Sequence, residues 1–329
     1  MKYLITGGAG FIGSYLCEAL VAGGDHVTVI DNLSTGKLEN IASLLPQKDK
    51  FTFIEADLLT MPDAELDKLA AECDRVCHLA AAVGVELVVS SPVRTIQTNV
   101  RATEKLLEAC ARYDRRIVTA STSEVYGKSE NEAFAETDDL LIGTPYHSRW
   151  GYACSKLLDE FYLMAYYREC GLPGTIVRFF NTVGPRQSGR YGMVIPRMTR
   201  MALEGKDVTV YGDGTQSRCF CHVKDTVRAV LGIFDSPAAV GKVYNIGSTE
   251  LVSIRELAER IIKRSGSSSE IVYIPYEQAY QPGFEDMHRR KPDTSAIKAL
   301  TGWQPEYCLD SIIDDVVAFI GSKKDGNNA

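Results

Sequence analysis

From Tyr3 to Arg178, short β-branched and aliphatic runs alternate with longer stretches whose apolar positions recur at helical spacing. Tyr3–Thr6, His26–Ile30, Phe51–Ala56, Arg75–Leu79, Arg116–Ala120 and Thr175–Arg178 have the length and residue types of strands. Helical periods occupy Ile12–Val21, Ala64–Ala71, Val93–Arg112 and Ala153–Arg168. This βαβ alternation predicts an α/β fold, a doubly wound parallel sheet with helices on both faces. After about Asn181 the strands shorten among helical periods at Val194–Leu203, Thr226–Phe234, Ile254–Arg264 and Ser311–Ile320. We therefore divide the chain into a sheet domain (1–178), a smaller α/β lobe (179–321) interleaved with it, and a polar, disordered tail (322–329).

Composition narrows the function. A chain of 329 residues, 45% hydrophobic, can bury two lobes. A net charge of −7 excludes a general nucleic-acid binder, which needs a basic face. No apolar run approaches the ~20 residues of a membrane span. The chain opens on a core strand, with no leader of the secretory kind, so its nine cysteines are expected as reduced thiols of a cytoplasmic protein. Cys73/Cys77 and Cys219/Cys221 lack zinc-site spacing, and no metal is expected.

The first strand runs directly into Thr6-Gly7-Gly8-Ala9-Gly10-Phe11-Ile12-Gly13 and then a helix. In that context glycines let the backbone approach a pyrophosphate, which the helix N-terminus attracts through its unpaired N–H groups and dipole. The sheet domain is thus read as Rossmann-type. Asp31 stands at the end of the second strand, eighteen residues beyond Gly13. A carboxylate there accepts both ribose hydroxyls of adenosine and repels a 2′-phosphate, so the cofactor is NAD rather than NADP; Asp31 could otherwise serve only to open the loop at Asn32. Asp57-Leu58 and Leu79-Ala80-Ala81-Ala82 come directly after the third and fourth strands, where they can meet adenine and let the cofactor lie against backbone.

Tyr152 and Lys156 are four residues apart, on one face of a predicted helix that opens near Gly151. A lysine ammonium favours phenolate, lowering a pKa of ~10 and producing a base for a sugar hydroxyl. Thr122 stands just beyond the strand Arg116–Ala120 and can offer its hydroxyl to the same oxygen.

These motifs, with Ser121-Thr122-Ser123-Glu124-Val125-Tyr126-Gly127, Phe179-Phe180-Asn181-Thr182-Val183-Gly184-Pro185-Arg186 and Tyr211-Gly212-Asp213-Gly214-Thr215-Gln216-Ser217-Arg218, resemble the extended short-chain dehydrogenase/reductases. Specifically, they are similar to the NAD-dependent nucleotide-sugar epimerases, dehydratases and decarboxylases, over nearly the whole chain. The resemblance implies that Thr122, Tyr152 and Lys156 serve hydride transfer at sugar carbon 4. It implies NAD contacts along Gly7, Gly10, Phe11, Ile12, Gly13, Asp31, Asn32, Asp57, Leu58, Leu79, Ala80, Ala82 and Asn99, with Tyr152 and Lys156. It carries nucleotide-sugar contacts onto Ser123, Asn181, Val194, Tyr211, Gln216, Arg218 and Arg290, and it implies a homodimer built on the helices Val93–Arg112 and Ala153–Arg168. Arginine suits the diphosphate through paired charge-assisted bonds, although Arg218 could equally lie on a solvated loop.

The fate of the 4-keto sugar depends on Ser123 and Glu124. Sugar 4,6-dehydratases that act on a deoxythymidine-linked glucose pair Asp with Glu here, GDP-mannose dehydratases carry Ser-Glu, and simple 4-epimerases carry small neutral residues. Thr122-Ser123-Glu124 together with Arg289-Arg290-Lys291-Pro292-Asp293 resembles the UDP-glucuronate decarboxylases. A 4-keto uronic acid is a β-keto acid, which loses carbon dioxide without pyridoxal or metal. Glu124 is read as managing protonation at carbon 5 and Arg290 as orienting the carboxylate or diphosphate. Against this, Glu124 could simply bond loop backbone and Arg290 could be solvated. Val83-Gly84-Val85-Glu86 to Ser91-Pro92 and Ser148-Arg149-Trp150-Gly151 resemble epimerases as much as decarboxylases. Decarboxylation to UDP-xylose or its 4-keto form is the preferred reading. UDP-sugar 4-epimerisation is second, then 4,6-dehydration and a non-catalytic NAD-binding regulator.

Overall fold

The computed structural model describes residues 1–83, 90–189, 193–279, 287 and 289–325. Seven strands form one sheet: β1 (Lys2–Thr6), β2 (His26–Asp31), β3 (Phe51–Glu55), β4 (Arg75–His78), β5 (Arg116–Thr122), β6 (Gly174–Phe179) and, from the second half of the chain, β11 (Lys242–Ile246). All six pairings are parallel, in the order β11-β6-β5-β4-β1-β2-β3. The order reverses between β1 and β4, which opens a crevice at the carboxyl ends of these strands.

Both faces are buried, because successive side chains alternate between two cores. Tyr3, Ile5, Val27, Val29, Val118 and Val177 pack with helix α1 (Phe11–Ala22) and helix α6 (Val223–Asp235), and α8 (Ser295–Thr301) adds Ile297 to the same core. Leu4, Ile30, Val76, Ile117 and Ile176 face the other way, onto α2 (Asp63–Glu72), α3 (Pro92–Arg112) and α4 (Arg149–Cys170).

The second lobe gathers a separate core between α5 (Val194–Leu203), α7 (Ile254–Arg264) and α9 (Leu309–Asp325), with Val208, Val210, Phe220 and Val252 contributed by short strands and the segments joining them. The strands outside the large sheet are β7 (Thr182–Val183), β8 (Val208–Tyr211), β9 (Ser217–Cys219), β10 (Cys221–His222), β12 (Leu251–Ser253), β13 (Ile271–Ile274) and β14 (Arg289–Arg290). A fourth cluster, with Val125, Tyr126, Phe134, Trp150 and Phe180, lies behind the turn after β5.

Two expectations change. The division at residue 178 cuts through the architecture, since β11 pairs with β6 along its whole length and α6 packs on α1. The tail from Ser322 is a continuation of α9 as far as Asp325, where Lys323 reaches Glu39 at 2.9 Å and lies over the Phe319 ring; residues 326–329 are outside the described set.

Candidate active site

The chain must turn within four residues between β1 and α1. Gly7 does so at φ 74°, where a Cβ would come within 2.8 Å of the Ala80 backbone nitrogen. On Gly13 a Cβ would lie 2.2 Å from the Gly7 carbonyl oxygen, so helix and turn approach this closely only without side chains. Gly10 caps α1 with no side-chain hydrogen bond, leaving the first-turn N–H groups as an anion cradle. At the end of β2 the Asp31 carboxylate accepts the N–H groups of Ala9 at 3.0 Å and Leu33 at 2.8 Å. Burial nevertheless holds its pKa above the ordinary carboxylate value. Asn32 donates to Asp57 at 2.9 Å, which ties together the two loops flanking an adenosine site. A cradle empty of side chains, a carboxylate at the strand end and an apolar floor of Leu58, Leu79, Ala80 and Ala82 fit a dinucleotide.

The redox side lies across the crevice. β5 ends at Thr122, whose side-chain oxygen accepts the Glu124 N–H at 3.2 Å and so starts a 3₁₀ turn over Ser123–Tyr126. That turn rests on buried polar contacts. Ser121 donates to Glu160 at 2.5 Å, and Arg178 clamps the same carboxylate at 3.0 and 2.7 Å while lying over the Tyr126 ring. The Tyr126 hydroxyl donates to Asn245 at 2.8 Å. Opposite, α4 presents Tyr152, whose phenol hydrogen-bonds Thr122, and Lys156 one turn on.

The phenol is not activated as the Tyr-Lys spacing predicts. Its pKa is raised above the ordinary value, first by burial and then by the Glu124 carboxylate, with only the Thr122 bond opposing. Lys156 is itself buried and gives its ammonium to Asp159 at 2.7 Å, so its charge is already neutralised beside the tyrosine.

On the substrate side β9 and β14 run parallel, with Arg218 and Arg290 as register partners. Arg218 is 5% exposed, which removes the solvated-loop alternative. Arg290 approaches Glu124 at 3.5 Å, with its side chain 13% exposed, so neither residue is a solvated bystander. Gln216 donates to the Tyr211 carbonyl at 3.0 Å and Asn181, at φ 26°, to the Cys219 carbonyl at 2.9 Å.

Every residue nominated from the sequence lines this one cleft, a cavity of about 600 Å³, except Asn99. Asn99 sits behind the wall: it accepts the Ala82 N–H at 2.8 Å and donates to Ser155 at 3.0 Å, so it shapes the cofactor loop without facing it. The cleft also receives Arg94, Arg149, Arg186 and Arg197, which the sequence reading did not nominate. For Arg149 a signal existed, since it stands three residues before Tyr152 on the same helix. Of the segment that resembles epimerases as much as decarboxylases, residues 84–89 lie outside the described set.

Residues 4–316 match the family described as GDP-mannose 4,6 dehydratase. The UDP-N-acetyl-alpha-D-glucosaminuronate decarboxylase of Bacillus cytotoxicus is 42% identical over 322 residues, 96% of each chain. UDP-glucuronic acid decarboxylase 1 of Xenopus tropicalis is 33% identical, over 97% of this chain and 72% of that one. Among solved structures, the UDP-glucuronic acid 4-epimerase of Bacillus cereus, in complex with UDP-glucuronic acid and NAD, superposes with a TM-score of 0.87 at 31% identity, covering 98% of this chain and 100% of that one. The chain belongs to the NAD-dependent nucleotide-sugar enzymes of the extended short-chain dehydrogenase/reductase family, whose decarboxylases are lyases and whose 4-epimerases are isomerases.

Proposed function

We propose that the protein decarboxylates a UDP-linked uronic acid. The carrying observation is the Glu124–Arg290 pair beside Thr122 and Tyr152 in one cleft. Bound NAD⁺ would lie along the glycine turn, Asp31 and Lys156, and supplies the acceptor for the carbon-4 hydride. Tyr152 takes the carbon-4 hydroxyl proton while Thr122 hydrogen-bonds the same oxygen. The resulting 4-keto uronate is a β-keto acid. Its carbon-5 to carbon-6 bond breaks, carbon dioxide leaves, and the electron pair enters the ketone as an enolate that Tyr152 and Thr122 hold. Glu124 manages the proton added at carbon 5. Arg290, with Arg218 beside it, orients the anionic substrate.

The relative at 42% identity makes UDP-N-acetylglucosaminuronate a substrate to offer alongside UDP-glucuronate. A second reading, 4-epimerisation with the carboxylate retained, is favoured by the TM-score of 0.87 to a UDP-glucuronic acid 4-epimerase. Incubating the purified protein and NAD⁺ with each uronate, and identifying products by mass, tests the two. A UDP-pentose or its 4-keto form supports decarboxylation; an isomer of unchanged mass refutes it.

The same reading includes a homodimer in the cytoplasm. Val93 and Ile96 on α3 and Leu158 and Phe161 on α4 are exposed apolar residues on adjoining helices, a surface suited to a four-helix contact between two copies. All nine cysteines are free thiols, as in a reducing compartment. No described helix is long and apolar enough to cross a membrane.

A further inference from the structure

Asp159 belongs to none of the motifs that define the site, yet it is fully buried directly behind the redox residues. It lies three residues after Lys156 on α4, with one carboxylate oxygen 2.7 Å from the Lys156 ammonium. Exposures of 3% and 1% for the two side chains leave this contact little screening by water. The other carboxylate oxygen has no hydrogen-bond partner among the described residues. A buried carboxylate with half its capacity unfilled is costly unless a positive charge holds it, and Lys156 is that charge.

We propose that Asp159 is a positioning residue of the redox step: as the buried counter-ion of Lys156, it sets how much positive charge reaches the Tyr152 phenol. This rests on the assignment of Tyr152 as the base.

The surroundings support such a role from every side. Tyr152, Lys156 and Glu160 share α4 with Asp159, and Glu160 is committed to Arg178. From α3 comes the Thr103 hydroxyl, which lies beside the carboxylate and also contacts the His78 imidazole at 3.0 Å. His78, at the end of β4, is held neutral by burial and by Lys156 and adds no charge. Glu124, from the turn after β5, is the other anion acting on the phenol. Lys156 is therefore the one cation beside Tyr152 and Asp159 named among these groups, and Asp159 touches it. Removing the carboxylate leaves the ammonium facing the phenol without its counter-ion.

The test is the titration of the Tyr152 phenol in cofactor-free protein, read as the ultraviolet difference between each protein and the same protein carrying Tyr152→Phe. Asp159→Asn should lower the phenol midpoint by about one pH unit or more, a tenfold change in the equilibrium. Asp159→Glu should restore it. In a Lys156→Met background, where the carboxylate has lost its partner, Asp159→Asn should move the midpoint by less than half as much. Asp159→Ala, read in the same way, serves if the asparagine variant does not fold. An unchanged midpoint in folded Asp159→Asn or Asp159→Ala protein, or an equal shift with and without Lys156, would overturn the proposal. Loss of all turnover in Tyr152→Phe with this titration as expected supports the base assignment as well. Normal turnover in Tyr152→Phe would remove that assignment while leaving the Asp159–Lys156 coupling measurable.

Discussion

Glu124 and Arg290 lie 166 positions apart in the chain and meet in the cleft, guanidinium to carboxylate, at 3.5 Å. Their approach depends on two independent placements. The 3₁₀ turn capped by Thr122 fixes Glu124, and the parallel pairing of β14 with β9 fixes Arg290 beside Arg218. At 3.5 Å the pair is loose enough for a substrate carboxylate to compete for the guanidinium.

Replacing Glu124 by Gln keeps the shape of this site and removes the base. We expect UDP-pentose formation to fall ~10²–10⁴-fold, with NAD⁺ binding unchanged by calorimetry. Arg290→Ala should raise the apparent KM for the uronate as well as lowering kcat, because it removes a binding contact. Turnover within about threefold of wild type in both variants would exclude them from the chemistry.

Tyr152→Phe should lower turnover by ~10²-fold or more, and Lys156→Met likewise, in single-turnover assays of NADH formation followed by its absorbance. Because burial and Glu124 hold the Tyr152 phenol above its usual pKa, wild-type oxidation should slow as pH falls and quicken as it rises through the neutral range. A rate independent of pH from about 6 to about 9 would place proton removal elsewhere.

Asp31→Ala should relax the preference for NAD⁺ over NADP⁺ by about tenfold or more, since the buried carboxylate would repel a 2′-phosphate. Equal wild-type affinity for the two dinucleotides would remove Asp31 from that role.

His78 provides a stability test away from catalysis. Its imidazole bridges Thr6 at 2.7 Å and Thr103 at 3.0 Å, and burial, with Lys156, depresses its pKa to about 3. The unfolded chain binds a proton at this residue below about pH 6.5, whereas the folded chain does not. Its contribution is therefore fully present above about 6.5 and is lost as pH falls from there towards about 3. Between about pH 7 and about pH 4.5 the wild type should lose about 2 kcal/mol more stability in urea than His78→Gln does. Parallel losses would mean that the imidazole titrates normally.

Phe161 on α4 and Val93 on α3 are 63% and 67% exposed. Phe161→Glu should convert a homodimer into monomers by sedimentation at micromolar concentration. A monomeric wild type would dispose of the dimer directly.

Much of this site is legible because it is local. Gly7 to Gly13, Asp31 and the Tyr152–Lys156 spacing are set by one strand, one turn or one helix, so their positions come from short-range pattern. The contact of Glu124 with Arg290 has no such signal, since only the completed second lobe brings β14 to the sheet edge. β11 shows the same limit: Val243, Tyr244 and Ile246 read as a strand between Gly241 and Gly247, but its place beside β6 is long-range. Asp159 escapes the pattern for a different reason. Helical spacing puts it near Lys156, but only burial shows that the contact neutralises the lysine and keeps the phenol from the expected activation.

The central claim is that carbon 6 is lost as carbon dioxide through Glu124. The direct measurement supplies wild-type and Glu124→Gln proteins, each with NAD⁺, with UDP-uronates labelled at carbon 6, and collects the released gas while the nucleotide sugars are separated. Wild type should release labelled carbon dioxide in step with UDP-pentose or its 4-keto form, and Glu124→Gln should release ~10²-fold less in the same time. Retention of the label in a carbon-4 epimer formed by wild type, at a rate indifferent to Glu124→Gln, would contradict it.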